Sequence, residues 1–183
     1  MPIRLTAIVT GASRGIGAAT ARALAIAGYD VAVNFATGEA AASRVVDQLT
    51  ALGAKAIAIR GDVSSETDIL NLFETAERTL GPVRALVNNA GITGGFARVD
   101  SVTSAVIAQM LAVNVTGTIL CAREAVKRMS TRHGGIGGGI VNVSSLVTRG
   151  GAPASGSTMP RQKAPSTPSL LAWPAKLRPT VSA

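Results

Sequence analysis

Apolar residues fall along this chain in two alternating rhythms. Leu5–Val9 is a short apolar, β-branched run with the character of a buried strand, and Val31–Val33, Ala56–Ile59, Ala85–Val87 and Ile140–Val143 read as four further strands. Between them apolar positions recur at helical spacing. Ile16, Ala19, Ala23, Leu24 and Ala27 do so over Gly15–Ala27, with Gly28 as a stop, and Ala40, Val45, Val46 and Leu49 over Gly38–Leu52. Ser65 precedes Asp68 at capping-box spacing and opens a helix carrying Ile69, Leu72, Phe73 and Ala76. Two more helices are expected around Ser101–Ala112 and Val115–Met129. Strands that alternate with helices of this length imply a parallel sheet, because parallel neighbours need a crossover. The expected fold is therefore α/β, a doubly wound parallel sheet of about five strands.

Beyond Gly150 neither rhythm persists. Six of the eight prolines fall between Pro153 and Pro179, and Leu170–Trp173 is the one apolar patch, bracketed by Pro168 and Pro174. Composition thus divides the chain into a folded domain, residues 1–153, and an irregular Pro/Ser/Thr-rich tail, 154–183. Charge divides the same way. The formal net charge is +8, yet residues 1–124 hold all ten acids and ten of the eighteen bases. Eight bases without an acid make up the rest, so the charge is local and does not call for a nucleic-acid partner. No uninterrupted apolar run reaches the length of a bilayer span, and the N-terminus leads straight into a glycine loop instead of a signal sequence. One cysteine, Cys121, permits no internal disulfide and points to the cytoplasm.

The chemistry starts at Thr10-Gly11-Ala12-Ser13-Arg14-Gly15-Ile16-Gly17, between the first strand and the first helix. Glycines there let the backbone turn sharply and approach a pyrophosphate, while the helix N-terminus offers N–H groups and positive dipole. Out of that setting the same glycines would read as a plain turn; within it they read as a dinucleotide site.

The spacing G-x-x-x-G-x-G resembles that of the short-chain dehydrogenase/reductase family. Three further motifs agree: Gly61-Asp62-Val63 after the third strand, Asn88-Asn89-Ala90-Gly91 after the fourth and Asn142-Val143-Ser144-Ser145 at the end of the fifth. The likeness covers roughly residues 4–153 and is nearest to bacterial members similar to glucose dehydrogenases and ketoacyl reductases. It implies a Rossmann-like sheet ordered 3-2-1-4-5 and hydride transfer between a nicotinamide cofactor and a small-molecule carbonyl or alcohol. It further implies that Gly11, Gly15, Ile16 and Gly17 line the diphosphate, with Ser13 and Arg14 near the adenosine ribose. By the same resemblance Asp62 and Val63 meet the adenine, and Asn89, Ala90 and Gly91 border the cofactor. Asn114 matches a structural and proton-relay asparagine, and Ser145, with Ser144 as its rival, matches the serine that bonds the substrate oxygen. The second strand ends Val33-Asn34-Phe35, with Asn34 where an acid would take a ribose 2′-OH. With Arg14 able to pair with a 2′-phosphate, this favours NADP over NAD.

The family's chemistry also needs a tyrosine as general acid/base and a lysine four residues later. Family spacing from Ser145 gives Thr158 and Gln162, the chain's one tyrosine is Tyr29, and Lys163 is one residue out of register. Codons for Thr158–Pro179 can be chosen so that the neighbouring frame spells YAASKGAIDTLTLGLAREVAA, which has the tyrosine and lysine at the right spacing. A frameshift near residue 153 is the expectation that follows, with a sheet stopped at five strands, exposed apolar faces, lost homo-oligomer contacts and little turnover. A catalytic oxidoreductase by descent and a non-catalytic dinucleotide-binding fragment are the two readings.

Smaller signals read as structural. Cys121 falls on a helix as a core position, and His133 has no cluster of ligands around it, so no metal is expected. Arg123, Lys127 and Arg128 read as a solvated helix face.

Overall fold

The structure is a computed structural model that describes residues 5–95 and 99–144. Ser145 and the Pro-rich tail lie outside the described residues. Five strands, β1 (Leu5–Val9), β2 (Tyr29–Phe35), β3 (Ala56–Arg60), β4 (Val83–Asn88) and β5 (Gly139–Asn142), form one parallel sheet in the order β3-β2-β1-β4-β5. The crossovers are α1 (Gly15–Ile26), α2 (Glu39–Ala51), α3 (Glu66–Leu80), α4 (Ser104–Leu111) and α5 (Thr118–Met129). This is the Rossmann-like sheet and order the sequence implied, with β2 and β4 each extending beyond their apolar triplets.

Period-two alternation splits β1 to β4 between two cores, whereas β5 gives Ile140 to one core and leaves Val141 exposed. Ile8, Ala32, Ile59 and Leu86 face α3 and α5, where Ile69, Leu72, Phe73, Cys121, Ala125 and Met129 meet them. Val9, Val31, Val33 and Val87 face α1 and α2, against Ala21, Ala25, Val45 and Leu49. Burial on both faces explains why these strands read as continuous apolar runs. Ser65 caps α3 through the Asp68 N–H, as its spacing predicted. The Asp68 carboxylate does not return to Ser65; its Oδ2 accepts the Asp62 N–H at 2.8 Å and holds the turn after β3.

The stretch after β4 departs from expectation. The two separate helices predicted there are one helical run, Ser104–Met129, in which Ala112–Gly117 forms a π-helical turn. A π turn accommodates one extra residue without ending the helix. This run is long and apolar enough to cross a membrane by length and composition. Gln109, Asn114, Thr116 and Thr118 interrupt its apolar positions, so the absence of an uninterrupted apolar run of that length stands beside it. Val113, Gly117, Cys121, Ala125 and Met129 are buried, whereas Ile107, Leu111, Val115 and Ile119 are exposed.

Arg123, Lys127 and Arg128 are not simply solvated. They converge on Glu124, whose side chain is 2% exposed: Arg123 Nε lies 3.0 Å from Oε1, Lys127 Nζ 2.9 Å from Oε1, and Arg128 Nη1 2.7 Å from Oε2. Arg128 also pairs with Glu77 at 2.8 Å and lies over the Phe73 ring, and Arg123 reaches Glu66, so the cluster ties α5 to α3. Burial alone would raise the Glu124 carboxyl, but hydrogen bonds from Lys127, Arg128 and Arg123 outweigh it and hold the group at about 2. A carboxylate depressed in the folded state contributes stability above its unfolded range and loses it as pH falls through the folded value. The melting midpoint should therefore drop between roughly pH 4.5 and pH 2, by the equivalent of roughly 2 kcal/mol after screening of the exposed partners. A Glu124→Gln chain should lose this acid limb in a pH series of thermal melts.

Candidate functional site

A parallel sheet of this order leaves a crevice at the carboxyl ends of β1 and β4, where the winding reverses. The glycine turn sits there. Thr10, directly after β1 and 1% exposed, takes the N–H groups of Asn89 (2.9 Å) and Ala90 (3.0 Å) on its hydroxyl and donates to Val87 O. Asn89 replies through Nδ2, donating to Thr10 O at 2.9 Å and Gly11 O at 3.0 Å. The turn is thereby latched onto the end of β4.

Close approach sets the residue types. Gly11 has φ +60°, and a Cβ on it would lie 2.9 Å from Ala90 Cα. A Cβ on Gly17 would lie 2.5 Å from Asn89 Nδ2 and 2.6 Å from Gly11 O. Beyond this contact α1 starts without a side-chain cap: Arg14, at the N-cap, is extended and exposed, and the first turn holds no acid. Its first N–H groups, at Gly15, Ile16 and Gly17, thus have neither an intrahelical partner nor a capping side chain. Ser13 is half-buried, and Ile16 is exposed beside them.

The other candidates gather on the same edge of the sheet. Asp62 is exposed after β3 and accepts the Ser64 N–H on Oδ1 at 2.8 Å, while Val63 beside it is buried. Asn34, expected among the cofactor-contacting residues, is 1% exposed, and its amide turns onto Gly11, Ile59 and Gly61. Ala90 is half-buried and Gly91 exposed. Asn114 lies in the π turn and clamps one residue from both sides: Oδ1 accepts the Ile92 N–H at 2.9 Å and Nδ2 donates to Ile92 O at 2.8 Å. Ser144, just past β5, is exposed; its rival Ser145 is outside the described residues.

Three contributors escaped sequence reasoning. Gly117, at the end of the π turn, packs directly under the Val63 carbonyl, leaving no room for a Cβ. Asn88, buried at the end of β4, donates to Thr118 O at 3.3 Å and to Asn142 Oδ1 at 3.0 Å, joining β4, β5 and α5. Thr10 and Asn88 were visible only as members of the glycine and asparagine motifs. The signal was available: a polar residue closing an apolar run, at Thr10, Asn88 and Asn142 alike. Cys121 is buried as expected, and burial, reinforced by the Glu124 charge, pushes its thiol up to about 12. Among the described residues no cluster of acids, His and Cys could hold a metal ion.

A profile of the short chain dehydrogenases matches residues 5–157. The chain belongs to the short-chain dehydrogenase family. An uncharacterized oxidoreductase of Escherichia coli, YgfF, is 48% identical over 147 residues, covering 80% of this chain and 60% of its own length. A 3-oxoacyl-[acyl-carrier-protein] reductase of Synechocystis is 37% identical over 147 residues, 80% of this chain and 58% of that protein. The crystal structure described as a short-chain alcohol dehydrogenase of Sinorhizobium meliloti 1021 matches with a TM-score of 0.74 at 35% identity. It overlaps 81% of this chain but only 57% of that one. This short-chain dehydrogenase thus spans about three-fifths of the length of the relatives it matches.

The contact at Gly17 yields a direct check. Gly17→Ala must separate α1 from the Asn89 latch, and overpacking of this kind costs about 1–3 kcal/mol. Thermal melts should show that loss, whereas Gly139→Ala, at a position with open space for a Cβ and no positive φ, should leave the midpoint close to the parent's.

Proposed function

We propose that this chain binds NADP, with NAD as the alternative, in the crevice at the carboxyl ends of β1 and β4. Its parent activity is hydride transfer involving the carbonyl or alcohol of a small molecule. The observation that carries the reading is the uncapped N-terminus of α1, held at the reversal point of the sheet by the Thr10–Asn89 latch. Backbone N–H groups at Gly15, Ile16 and Gly17 suit a diphosphate, and Gly11 provides the close approach. Ser13 and the exposed Arg14 suit the adenosine ribose and a 2′-phosphate, with no acid on the strand-end Val33-Asn34-Phe35 to oppose it. Asp62 and Val63 suit the adenine, and Asn89, Ala90 and Gly91 the face along β4.

When bound, the nicotinamide supplies the two-electron donor or acceptor. This chain's own part is to orient and to handle the proton. Asn114 holds the Gly91–Ile92 backbone at the crevice, and Ser145, or Ser144 beside it, would take the substrate oxygen. Where the family requires a tyrosine and a lysine, this sequence has Thr158 and Gln162. A threonine hydroxyl is too weak an acid for that relay near neutrality, and glutamine brings no charge to lower it. Binding without turnover is the function we assign to the chain as written, and the frame change inferred from the sequence accounts for it. A reducing cytoplasm suits a chain whose one cysteine is a buried thiol.

Titration of NADPH against the purified chain, read by its fluorescence, should saturate, while carbonyl substrates should leave NADPH absorbance unchanged. Arg14→Ala should weaken NADPH about tenfold and NADH by much less. Association of neither nucleotide would refute the reading, and steady NADPH oxidation would refute the loss of turnover.

A further inference from the structure

Asn34 makes three side-chain hydrogen bonds on the nucleotide edge, and they are divided between its two neighbouring segments. Its Oδ1 accepts the Gly11 N–H at 3.3 Å; its Nδ2 donates to Gly61 O at 2.9 Å and lies 3.4 Å from Ile59 O. The backbone repeats the division. Ala12 N–H donates to Asn34 O at 2.8 Å, and Gly61 N–H donates to Phe35 O at 2.9 Å. The end of β2 is therefore a staple, with the glycine turn on one side and the loop leading to Asp62 and Val63 on the other.

Resting on the dinucleotide reading above, we propose that Asn34 is a positioning residue that fixes the separation of these two loops and thereby the gap that receives the adenosine half of the cofactor. An amide suits the task because it carries an acceptor at one end and donors at the other. Aspartate would keep the acceptor for Gly11 but set a carboxylate against two carbonyl oxygens. Threonine suits a strand, but its single short hydroxyl cannot span both loops. The arrangement also assigns the N–H groups of the turn: those of Gly11 and Ala12 face β2, which leaves the diphosphate to Gly15, Ile16 and Gly17. Asn34 is 1% exposed, so it acts through the loops and not by touching the ligand.

The test compares three full-length variants, Asn34→Thr, Asn34→Asp and Thr6→Val. Thr6 is the control for general loosening: it is equally buried on the same sheet, and its hydroxyl donates to Gly81 O at 2.9 Å, at the opposite end of β1. Each chain is melted and titrated with adenosine 2′,5′-bisphosphate. Both Asn34 variants should weaken binding about tenfold, as expected for a lost buried bond that set the site's geometry, while Thr6→Val stays within about twofold of the parent. Parental affinity in a folded Asn34 variant, or an equal loss in Thr6→Val, overturns the positioning role alone. A parent chain that binds neither the bisphosphate nor NADPH overturns the dinucleotide reading and this role with it. If Asn34→Asp does not fold, Asn34→Thr decides. If neither folds, hydrogen exchange of the parent chain decides: the Gly11 N–H, which Asn34 Oδ1 accepts, must be protected, and free exchange there overturns the proposal.

Discussion

The contact between Thr10 and Asn89 governs the layout of the nucleotide edge. Two strands that wind away from each other share no connecting loop, so something else must set the distance between their carboxyl ends. Here a buried hydroxyl accepts two backbone N–H groups from β4's exit, and the Asn89 amide donates to two carbonyls at β1's exit. Those bonds fix where the glycine turn lies, which in turn forces Gly11 and Gly17 to lack side chains and aims the start of α1. A polar row along this edge extends the same logic outward: Asn34 is the penultimate residue of β2, Thr10 follows β1, Asn88 ends β4 and Asn142 ends β5. Buried polar groups are tolerable there because each is bonded to backbone or to another member of the row.

Much of this was legible in the residues. Strands buried on both faces announce themselves as apolar runs, and the Leu5–Val9 boundaries agree with the structure. β2, β3 and β4 run longer than their apolar runs, because polar residues such as Asp30 and Asn34 in β2, and Asn88 in β4, interrupt the apolar pattern while remaining in the ladder; β5 keeps its expected length but lies one residue earlier. The glycine motif and the asparagine motif could be placed on the correct loops. What single-residue chemistry could not supply was direction: Asn34 faces inward onto two loops, and only the fold tells an inward amide from one that lines a ligand.

The helical run after β4 shows a second limit. Periodicity presumes a constant turn, and the π segment breaks that presumption at Ala112–Gly117 without any proline to signal it. Its causes are tertiary. Asn114 grips the Ile92 backbone on one side, and Gly117 lies under Val63 on the other. Glu124 was hidden for a similar reason: surrounded in sequence by bases, it looks like one charge among many, yet it is the buried centre on which they converge.

The extra residue in that turn has a consequence for how the segment tolerates length change. Each residue advances a regular helix by about 100° of rotation, and the widened turn absorbs that advance for its one extra residue, so deleting one position between Ala112 and Gly117 would restore regular winding and leave the segments on either side near their present bearing. Thr103, at the start of α4, and the exposed row of Ile107 and Leu111 would keep their bearing, but the positions inside the turn would rotate and Asn114 would be pulled off Ile92. The helix would survive such a deletion as a helix; the alignment of two loops with one another would not. Spacing in this stretch is thus itself a structural element, as specific as any side chain it separates.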